Sequence, residues 1–258
     1  MAELPDLTVF ADTLSRKFKG KILKTLDIQV AKKLNVNSKI LKGRLEGQKL
    51  ESVERVGKTL QLHFGKQEVL GLHLMLRGEL KEIIKNGPDL KHGILTFIFD
   101  NHTGFSVTDQ LKQATPTSNP EKNNTPDALA ISEGEFLSLL SKKRKKIKEL
   151  LMDQKLIRGV GNSYADEILW EAKISPLSIA REIPENAVKK LFNAIAGVLT
   201  AAIAAIKKEN GDELRGELRD FMKIHGSKLK QSPTGHSIKS AKINGRTAYF
   251  TEEQKLYK

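Results

Sequence analysis

The spacing of apolar and polar residues changes character about halfway along this 258-residue chain. Up to about residue 113, short alternating or apolar runs such as LEGQKLESVERVGKTLQLHF and GILTFIFD are separated by Gly, Asn and Asp, which indicates β-strands. One early helix is predicted over residues 7–18. Residues 114–129, ATPTSNPEKNNTPDAL, hold three prolines and many small polar side chains, which favours a linker or a long exposed loop.

After residue 130 the apolar period becomes helical. Ser132 and Glu135 form an S-x-x-E capping box, with Ile131 and Phe136 placed as its hydrophobic staple. This helix is predicted to run to about residue 153. Further helices are predicted from about 162 to 172 and over 185–208, with a short helical piece in NGDELRGELRDFM. The tail GHSIKSAKINGRTAYFTEEQ is typical of a hairpin that turns at its Asn-Gly pair.

The net charge of +13 favours a polyanionic partner, of which nucleic acid is the usual one. An acidic membrane surface is the rival partner, and it requires a basic amphipathic helix or a spanning segment. The longest nearly apolar stretch, AIAGVLTAAIAAI, is too short and too rich in alanine to span a bilayer, so we expect a buried helix and no membrane. The N-terminus lacks the basic and apolar regions of a signal peptide. The absence of cysteine excludes disulfides and cysteine-ligated zinc, and it is compatible with a reducing cytoplasm.

The stretch KLIRGVGNSYADEILW places two glycines and Asn162 directly before a predicted helix. Glycine allows close approach of a phosphate, and a helix N-terminus offers N–H groups and the positive end of a dipole. The stretch therefore predicts a phosphate clamp with Asn162 as a donor, to which Lys148 and Lys155 could add charge. A plain helix–turn–helix corner, in which the glycines only provide tight turns, explains the same letters equally well.

The segment IKELLMDQKLIRGVGNSYADEIL closely resembles the helix–two-turn–helix signature of the formamidopyrimidine/endonuclease VIII family of DNA glycosylases. The opening MAELPD resembles the family's MPELPE, and RVGKTLQLHF resembles its R-x-G-K-Y/L strand. The tail is similar to the family's zinc-finger hairpin without its cysteines. The resemblance implies an α+β fold: an N-terminal β-sandwich (1–114), a linker (115–130), a helix–two-turn–helix domain (131–220) and a zinc-less β-hairpin finger (221–258).

The resemblance also implies a DNA-binding cleft and a set of site residues. In the family the second residue, freed by removal of Met1, attacks C1′ of the damaged nucleotide through its amine and forms a Schiff base. Ala2 occupies that position, Glu3 matches the neighbouring acid, and Lys58 matches a lysine beside the lesion and its phosphate. Asn162 and Arg246 match the two phosphate clamps that hold the kinked backbone. Each residue alone is more simply explained as an ordinary surface side chain, and only their joint spacing favours contact with DNA.

Three departures from the family pattern change these expectations. Ala2 replaces the nucleophilic proline, so catalysis could be slowed or lost, or pass to Lys58. HLMLRG and DQLKQA correspond to HLGMSG and D-P-R-R-F-G, which puts Leu76, Leu111 and Gln113 where Met, Arg and Phe fill the void left by the extruded base. The finger has no zinc ligands, as in plant, fungal and some animal relatives, and we expect packing of Ile238, Ile243, Tyr249 and Phe250 to hold it.

Three functions remain open at this stage. The first is a DNA glycosylase with AP lyase activity on oxidised bases or abasic sites, acting as a monomer in the bacterial cytoplasm or nucleoid, without cofactor or metal. The second is a binder of damaged or distorted duplex DNA that lacks catalysis or has little, favoured by Ala2, Leu111 and Gln113. The third is an RNA-associated protein, which basic charge and the two-turn corner permit but the MAELPD start does not explain. The basic run 142–148, KKRKKIK, is either a solvated helix face or a further surface near DNA.

Overall fold

The computed structural model describes residues 1–83 and 90–258, and the chain divides into two compact units. The first unit comprises Met1–Asn123 and Ile206–Leu218, and the second comprises Asn124–Ala205 and Arg219–Lys258. The predicted β-rich region also includes residues 84–89, which lie outside the described residues.

The described helices and strands follow each other in the order that the apolar pattern predicts. The helices are α1 Leu4–Phe18, α2 Ser38–Leu45, α3 Glu133–Ser141, α4 Ile147–Met152, α5 Asn162–Glu171 and α6 Glu185–Asn210. The strands are β1 Leu23–Ile28, β2 Leu50–Val56, β3 Thr59–Phe64, β4 Glu68–His73, β5 Gly78–Ile83, β6 Gly93–Phe99, β7 Gly104–Asp109, β8 Thr115–Ser118, β9 Lys239–Ile243 and β10 Arg246–Phe250.

The first unit is built on two antiparallel four-stranded sheets, in the orders β1-β6-β7-β5 and β2-β3-β4-β8. Leu62 on one sheet and Phe97 on the other belong to a single buried apolar cluster, as alternating inward positions require. The apolar stripe of α1, which includes Leu7 and Leu14, joins the same cluster. The β-sandwich prediction is therefore confirmed.

Helix α1 begins at Leu4, three residues earlier than the sequence pattern predicts. Glu3 is its N-cap, and the Glu3 N–H donates to Asp6 Oδ2 at 2.9 Å as one half of a capping box. Pro5 near the helix start fits this position because its missing N–H has no intrahelical acceptor there. The cap therefore fixes the backbone of the residues that open the chain.

A buried carboxylate shapes the loop that follows β7. Asp109, 1% exposed, accepts hydrogen bonds from the backbone N–H groups of Leu111 at 2.8 Å, Gln113 at 2.7 Å and Ala114 at 2.8 Å. Lys112 takes a positive φ of 52°, as the tight turn requires. One side chain thereby holds the backbone of the DQLKQA segment.

The second unit packs four helical elements and the β9–β10 hairpin. The Ser132–Glu135 capping box, the start of α5 at Asn162 and the Asn244-Gly245 turn, with φ of 47° and 74°, agree with the predictions. Among the described helices, α6 is long and apolar enough, by length and composition, to cross a membrane. Its buried side chains recur every three or four residues along one face, which is also the pattern of a core helix.

Three predictions of secondary structure are wrong, and one helix is absent from the predictions. The helix expected to run from 133 to 153 is interrupted at residues 142–146, where like charges crowd and the Lys143 and Lys145 carbonyls accept instead from Arg181 and Ala180. Residues 211–222 form no helix, because the chain passes from the first unit to the second there. The predicted linker at 115–130 begins with strand β8, paired with β4. Helix α2, capped by Asn37, was not predicted.

The hairpin finger is attached to the second unit by a cluster around Glu253, whose side chain is 14% exposed. Its carboxylate accepts from Lys173 Nζ at 2.8 Å, Trp170 Nε1 at 3.0 Å, and the hydroxyls of Thr234 at 2.9 Å and Thr251 at 3.0 Å. The hydrogen bond from Lys173 has the largest effect on the pKa of Glu253, burial opposes it, and the other three donors lower the pKa further. Together these effects bring the pKa of Glu253 down to about 2. The carboxylate therefore ties α5 and the turn after it to the end of the finger.

We expect Glu253 to make the second unit sensitive to acid. Because its pKa is about 2 in the folded chain and about 4.5 when unperturbed, its stabilisation is fully present above about pH 4.5 and is lost as pH falls toward 2. Urea unfolding of wild type and Glu253→Gln at pH 7, 4 and 3 measures this directly. The difference between them should shrink with falling pH, whereas Glu252→Gln, at an exposed neighbour, should show little difference at any pH. A constant difference between wild type and Glu253→Gln would contradict the assignment.

Asp109→Ala should destabilise the first unit because three backbone donors lose their acceptor at once. A buried donor left without a partner costs about 1–3 kcal/mol, so we expect a loss of about 2 kcal/mol or more in the free energy of unfolding. Asp100→Ala, at an exposed turn position, is the matched control and should change it by less than about 0.5 kcal/mol. Equal effects of the two substitutions in urea titrations would show that Asp109 does not organise its loop.

Candidate functional site

A cavity of about 630 Å³ opens in the first unit beside the N-terminus. Ala2 and Leu76 line it together with Gln110, from the loop that Asp109 organises. Cationic and anionic side chains share its wall, and these are Arg77, Lys81, Lys91, Glu79, Asp109 and Glu217. The cavity thus brings the predicted nucleophile and one predicted void-filling residue to one place, with polar groups that could orient a bound molecule.

The opening residues are held rigidly at this cavity. Ala2 is 4% exposed and Glu3 is 3% exposed, although both belong to the first few residues of the chain. The Met1 ammonium pairs with Glu217 Oε1 at 2.6 Å, so a cationic amine already has an anionic partner in the wall. Glu3 follows Ala2 directly but is not among the described residues that line the cavity.

Leu76 stands on a tight turn between β4 and β5. The N–H of Gly78 donates to Leu74 O at 2.8 Å, and a Cβ at Gly78 would lie only 2.2 Å from that oxygen, so the turn requires glycine. Met75, with φ of 54°, takes a left-handed conformation at the position where the family motif has Gly. Leu76 itself is 54% exposed on this turn.

Lys58 lies near this turn rather than within a strand. It occupies the β2–β3 turn and is half-buried. Burial, and then the charge of Lys58, lowers the pKa of His73, which keeps the imidazole neutral. A neutral His73 can accept through Nδ1, and it does so from the Met75 N–H at 3.0 Å. Lys58 thus acts electrostatically on the side chain that steadies the Leu76 turn.

Leu111 and Gln113 are both exposed on the DQLKQA loop, Leu111 to 46%. Neither is among the described residues that line the cavity, which the neighbouring Gln110 reaches. The loop therefore presents an apolar and an amide side chain outward while its backbone is fixed by Asp109.

The two-turn corner of the second unit is shaped by one glutamine. Gln154 Oε1 accepts from the Gly159 N–H at 2.9 Å, and its Nε2 donates to Val160 O at 2.8 Å. Gly159 has φ of 104°, a conformation that L side chains rarely adopt, whereas Gly161 is simply extended. The half-buried Asn162 side chain lies at the start of α5, and its buried Oδ1 has no hydrogen-bond partner among the described residues. The N–H groups of the same amide are the donors that a phosphate would require.

Arg246 opens β10 immediately after the Asn244-Gly245 turn. It is exposed, and its guanidinium has no protein partner within residues 1–83 and 90–258. Helix α5 packs against β10, so the elements that carry Asn162 and Arg246 are neighbours within the second unit. A phosphate group could use both side chains, since the guanidinium of Arg246 and the amide of Asn162 both carry N–H donors.

The prediction that Lys148 contacts DNA is wrong. Its side chain is 0% exposed, and Nζ forms an ion pair with Asp166 Oδ1 at 2.7 Å and donates to Thr247 O at 3.1 Å. A lysine enclosed in this way cannot neutralise a phosphate. Lys155, in contrast, is exposed beside the corner.

Sequence patterns did not reveal several side chains that build the site. Asp166, Glu167 and Glu253 are buried or nearly buried carboxylates that hold loops through contacts distant in sequence, for which no local signal exists. Asp109 holds its own loop through backbone groups within five residues. The expected finger packing holds at Ile243, 1% exposed, while Ile238, Tyr249 and Phe250 are only half-buried. No cluster of three or more His, Asp or Glu side chains suited to a metal occurs among the described residues.

Two family models match this chain. The formamidopyrimidine-DNA glycosylase N-terminal domain matches residues 1–115, and the formamidopyrimidine-DNA glycosylase H2TH domain matches residues 124–212. Formamidopyrimidine-DNA glycosylase of Lactobacillus johnsonii is 28% identical over 100% of both chains, and that of Listeria monocytogenes is 28% identical over 97% of this chain and 98% of its own.

Solved structures agree with these matches. The Lactococcus lactis formamidopyrimidine-DNA glycosylase in complex with DNA containing an abasic site has a TM-score of 0.87 and 25% identity, covering 97% of this chain and 98% of its own. A mutant of the same enzyme with DNA containing Fapy-dG also has a TM-score of 0.87 and 25% identity. Fold, family models and full-length relatives agree, and the chain belongs to the formamidopyrimidine/endonuclease VIII family of DNA glycosylases.

Proposed function

We propose that this protein is a DNA glycosylase with AP lyase activity, which acts on oxidised bases or abasic sites in duplex DNA. The observation that carries the proposal is the buried position of Ala2 in the wall of a cavity of about 630 Å³ that also receives the exposed Leu76. Removal of Met1 would place a primary amine on Ala2, inside the space that an extruded nucleotide needs.

The chemistry requires an amine, an acid and a bound sugar. The neutral amine of Ala2 attacks C1′, and the base leaves with the electron pair of its bond to C1′ and takes up a proton. The sugar ring then opens as C1′ and the nitrogen form the protonated Schiff base: the nitrogen loses a proton, the bond from C1′ to the ring oxygen breaks, and that oxygen takes a proton. Glu3 is the proposed donor of that proton, because the cap of α1 fixes its backbone beside Ala2. Loss of a C2′ proton then expels the 3′ phosphate and cuts the strand.

The second unit supplies the proposed grip on the DNA backbone. Asn162 and Arg246 carry side-chain N–H donors on two packed elements, and phosphate contacts of this kind set the register of a protein on a duplex. Leu76 and Leu111 are proposed to wedge into the stack that the extruded base leaves, while Gln113 offers an amide to the orphaned base. Leucine cannot form the hydrogen bonds of the family's arginine. In this chain we therefore assign insertion into the base stack to Leu111 and hydrogen bonding to the orphaned base to Gln113.

Borohydride trapping tests the nucleophile. We expect a covalent protein–DNA adduct on duplex DNA with an abasic site, because borohydride reduces a Schiff base to a stable amine. An N-terminal extension that keeps Ala2 in an amide should abolish the adduct, and Ala2→Pro, which restores the family residue, is the positive control. Gel electrophoresis of trapped abasic and 8-oxoguanine duplexes gives the measurement.

Other results of the same experiment separate the remaining functions. An adduct that survives the extension and disappears in Lys58→Ala would transfer the nucleophilic role to Lys58. If no adduct forms but the protein binds abasic duplex more tightly than intact duplex, it is a non-catalytic binder of damaged DNA. The replacement of proline by Ala2 favours this second function. Equal affinity for intact and damaged duplex would contradict both functions.

Arg246→Gln tests the phosphate grip. The slope of log affinity against log salt falls by about 0.9 for each phosphate contact that is lost, so we expect the slope to become shallower by about that amount. Fluorescence anisotropy of a labelled abasic duplex between 50 and 200 mM salt would measure it. Arg181→Gln, which removes an exposed arginine already paired with Glu182, is the matched control. An unchanged slope in Arg246→Gln would show that Arg246 does not contact a phosphate.

A further inference from the structure

A buried carboxylate in the second unit joins four segments of the chain. Asp166 on α5, 0% exposed, pairs with Lys148 of α4 at 2.7 Å and accepts from His225 Nδ1 at 2.8 Å. It also accepts from the backbone N–H of Tyr249 in β10 at 3.1 Å. A charged group so deeply enclosed is expensive unless every one of these partners is in place, so the cluster specifies one arrangement.

The same cluster holds the backbone beside Arg246. Lys148 Nζ donates to the carbonyl of Thr247 at 3.1 Å, the residue directly after Arg246, and Asp166 holds the N–H of Tyr249 two residues further. The β9–β10 pairing then carries this constraint across the turn, since Arg246 pairs with Ile243, 1% exposed. The guanidinium end of Arg246 is therefore exposed, whereas its backbone is held in place.

Asp166 also stands one helical turn from Asn162 on α5. Residues four apart lie on the same face of a helix, separated by about 6 Å along its axis. One rigid helix thus carries Asn162 at its start and the anchor of Arg246 one turn later. The neighbouring Glu167, 5% exposed, reinforces this by accepting from the N–H groups of Lys223, Ile224 and His225 at 2.8–2.9 Å.

We propose that Asp166, together with Lys148, is a positioning residue for DNA binding: the buried pair sets where Arg246 stands relative to Asn162. The inference rests on the proposed function, because it assumes that Arg246 contacts a phosphate. Packing alone holds a hairpin to a helix, but it does not fix the register along the strand. Directional hydrogen bonds to the Thr247 carbonyl and the Tyr249 N–H do, and they do so in a sequence without cysteine.

A double-mutant cycle on DNA affinity tests this role. The variants are Asp166→Asn, Arg246→Gln and the two combined, with anisotropy of a labelled duplex that contains a tetrahydrofuran abasic-site analogue. We expect Arg246→Gln to weaken binding of the wild-type background about tenfold or more. In the Asp166→Asn background the same change should cost less than twofold, because the guanidinium is already displaced. Thermal melts followed by circular dichroism verify that each variant is folded.

Glu252→Gln is the matched control, since it removes a 63% exposed carboxylate just after the same hairpin. In that background Arg246→Gln should retain its full effect. If Asp166→Asn does not fold, Lys148→Met combined with Asp166→Asn, which leaves neither ionised partner buried, takes its place in the cycle. A full Arg246→Gln effect in folded Asp166→Asn would show that Asp166 only stabilises the fold, and would overturn the inference while leaving the proposed function intact. No effect of Arg246→Gln in wild type would instead remove the phosphate contact itself.

Discussion

The ion pair between Lys148 and Asp166 is the interaction on which the second unit depends. Both side chains are fully enclosed, and removal of one partner from such a pair typically costs about 3–5 kcal/mol because a charge is left in a medium that cannot solvate it. The pair therefore does more than attract two helices. It makes the attachment of the β9–β10 hairpin all-or-none, since any displacement of β10 deprives Lys148 of the Thr247 carbonyl and Asp166 of the Tyr249 N–H.

In the first unit, a single buried carboxylate also holds backbone groups in place. Asp109 collects three N–H groups and thereby gives an irregular loop the rigidity of a strand end. Neutral His73 likewise accepts a backbone hydrogen bond and so holds the turn that carries Leu76. Exposed leucines on fixed backbones are suited to wedging between bases, because little conformational entropy remains to be lost when they insert.

Local patterns in the sequence predict what local interactions decide. The capping box at Ser132, the helix start at Asn162 and the turn at Asn244-Gly245 each depend on residues within four positions, and each is confirmed. The helix expected through Lys142–Lys146 fails because the backbone N–H groups of Ala180 and Arg181 donate to the Lys145 and Lys143 carbonyls in place of helical donors. The prediction that Lys148 contacts DNA fails because its partner Asp166 lies on the next helix. Nothing in a basic run indicates that one of its lysines is buried. Motif resemblance singled out Ala2, Glu3 and Leu76 as site residues, whereas the contacts of Asp166 and Glu253, which are distant in sequence, left no local trace.

The groups that hold the finger in place determine which chemical conditions can disrupt it. Fingers closed by zinc and cysteine thiolates fold only when the metal is supplied, and they lose it to chelators or when peroxide oxidises the sulfur ligands. Here carboxylates, a lysine ammonium and backbone groups do the closing, and the sequence holds no thiol. Peroxide therefore finds no sulfur ligand to attack in this finger.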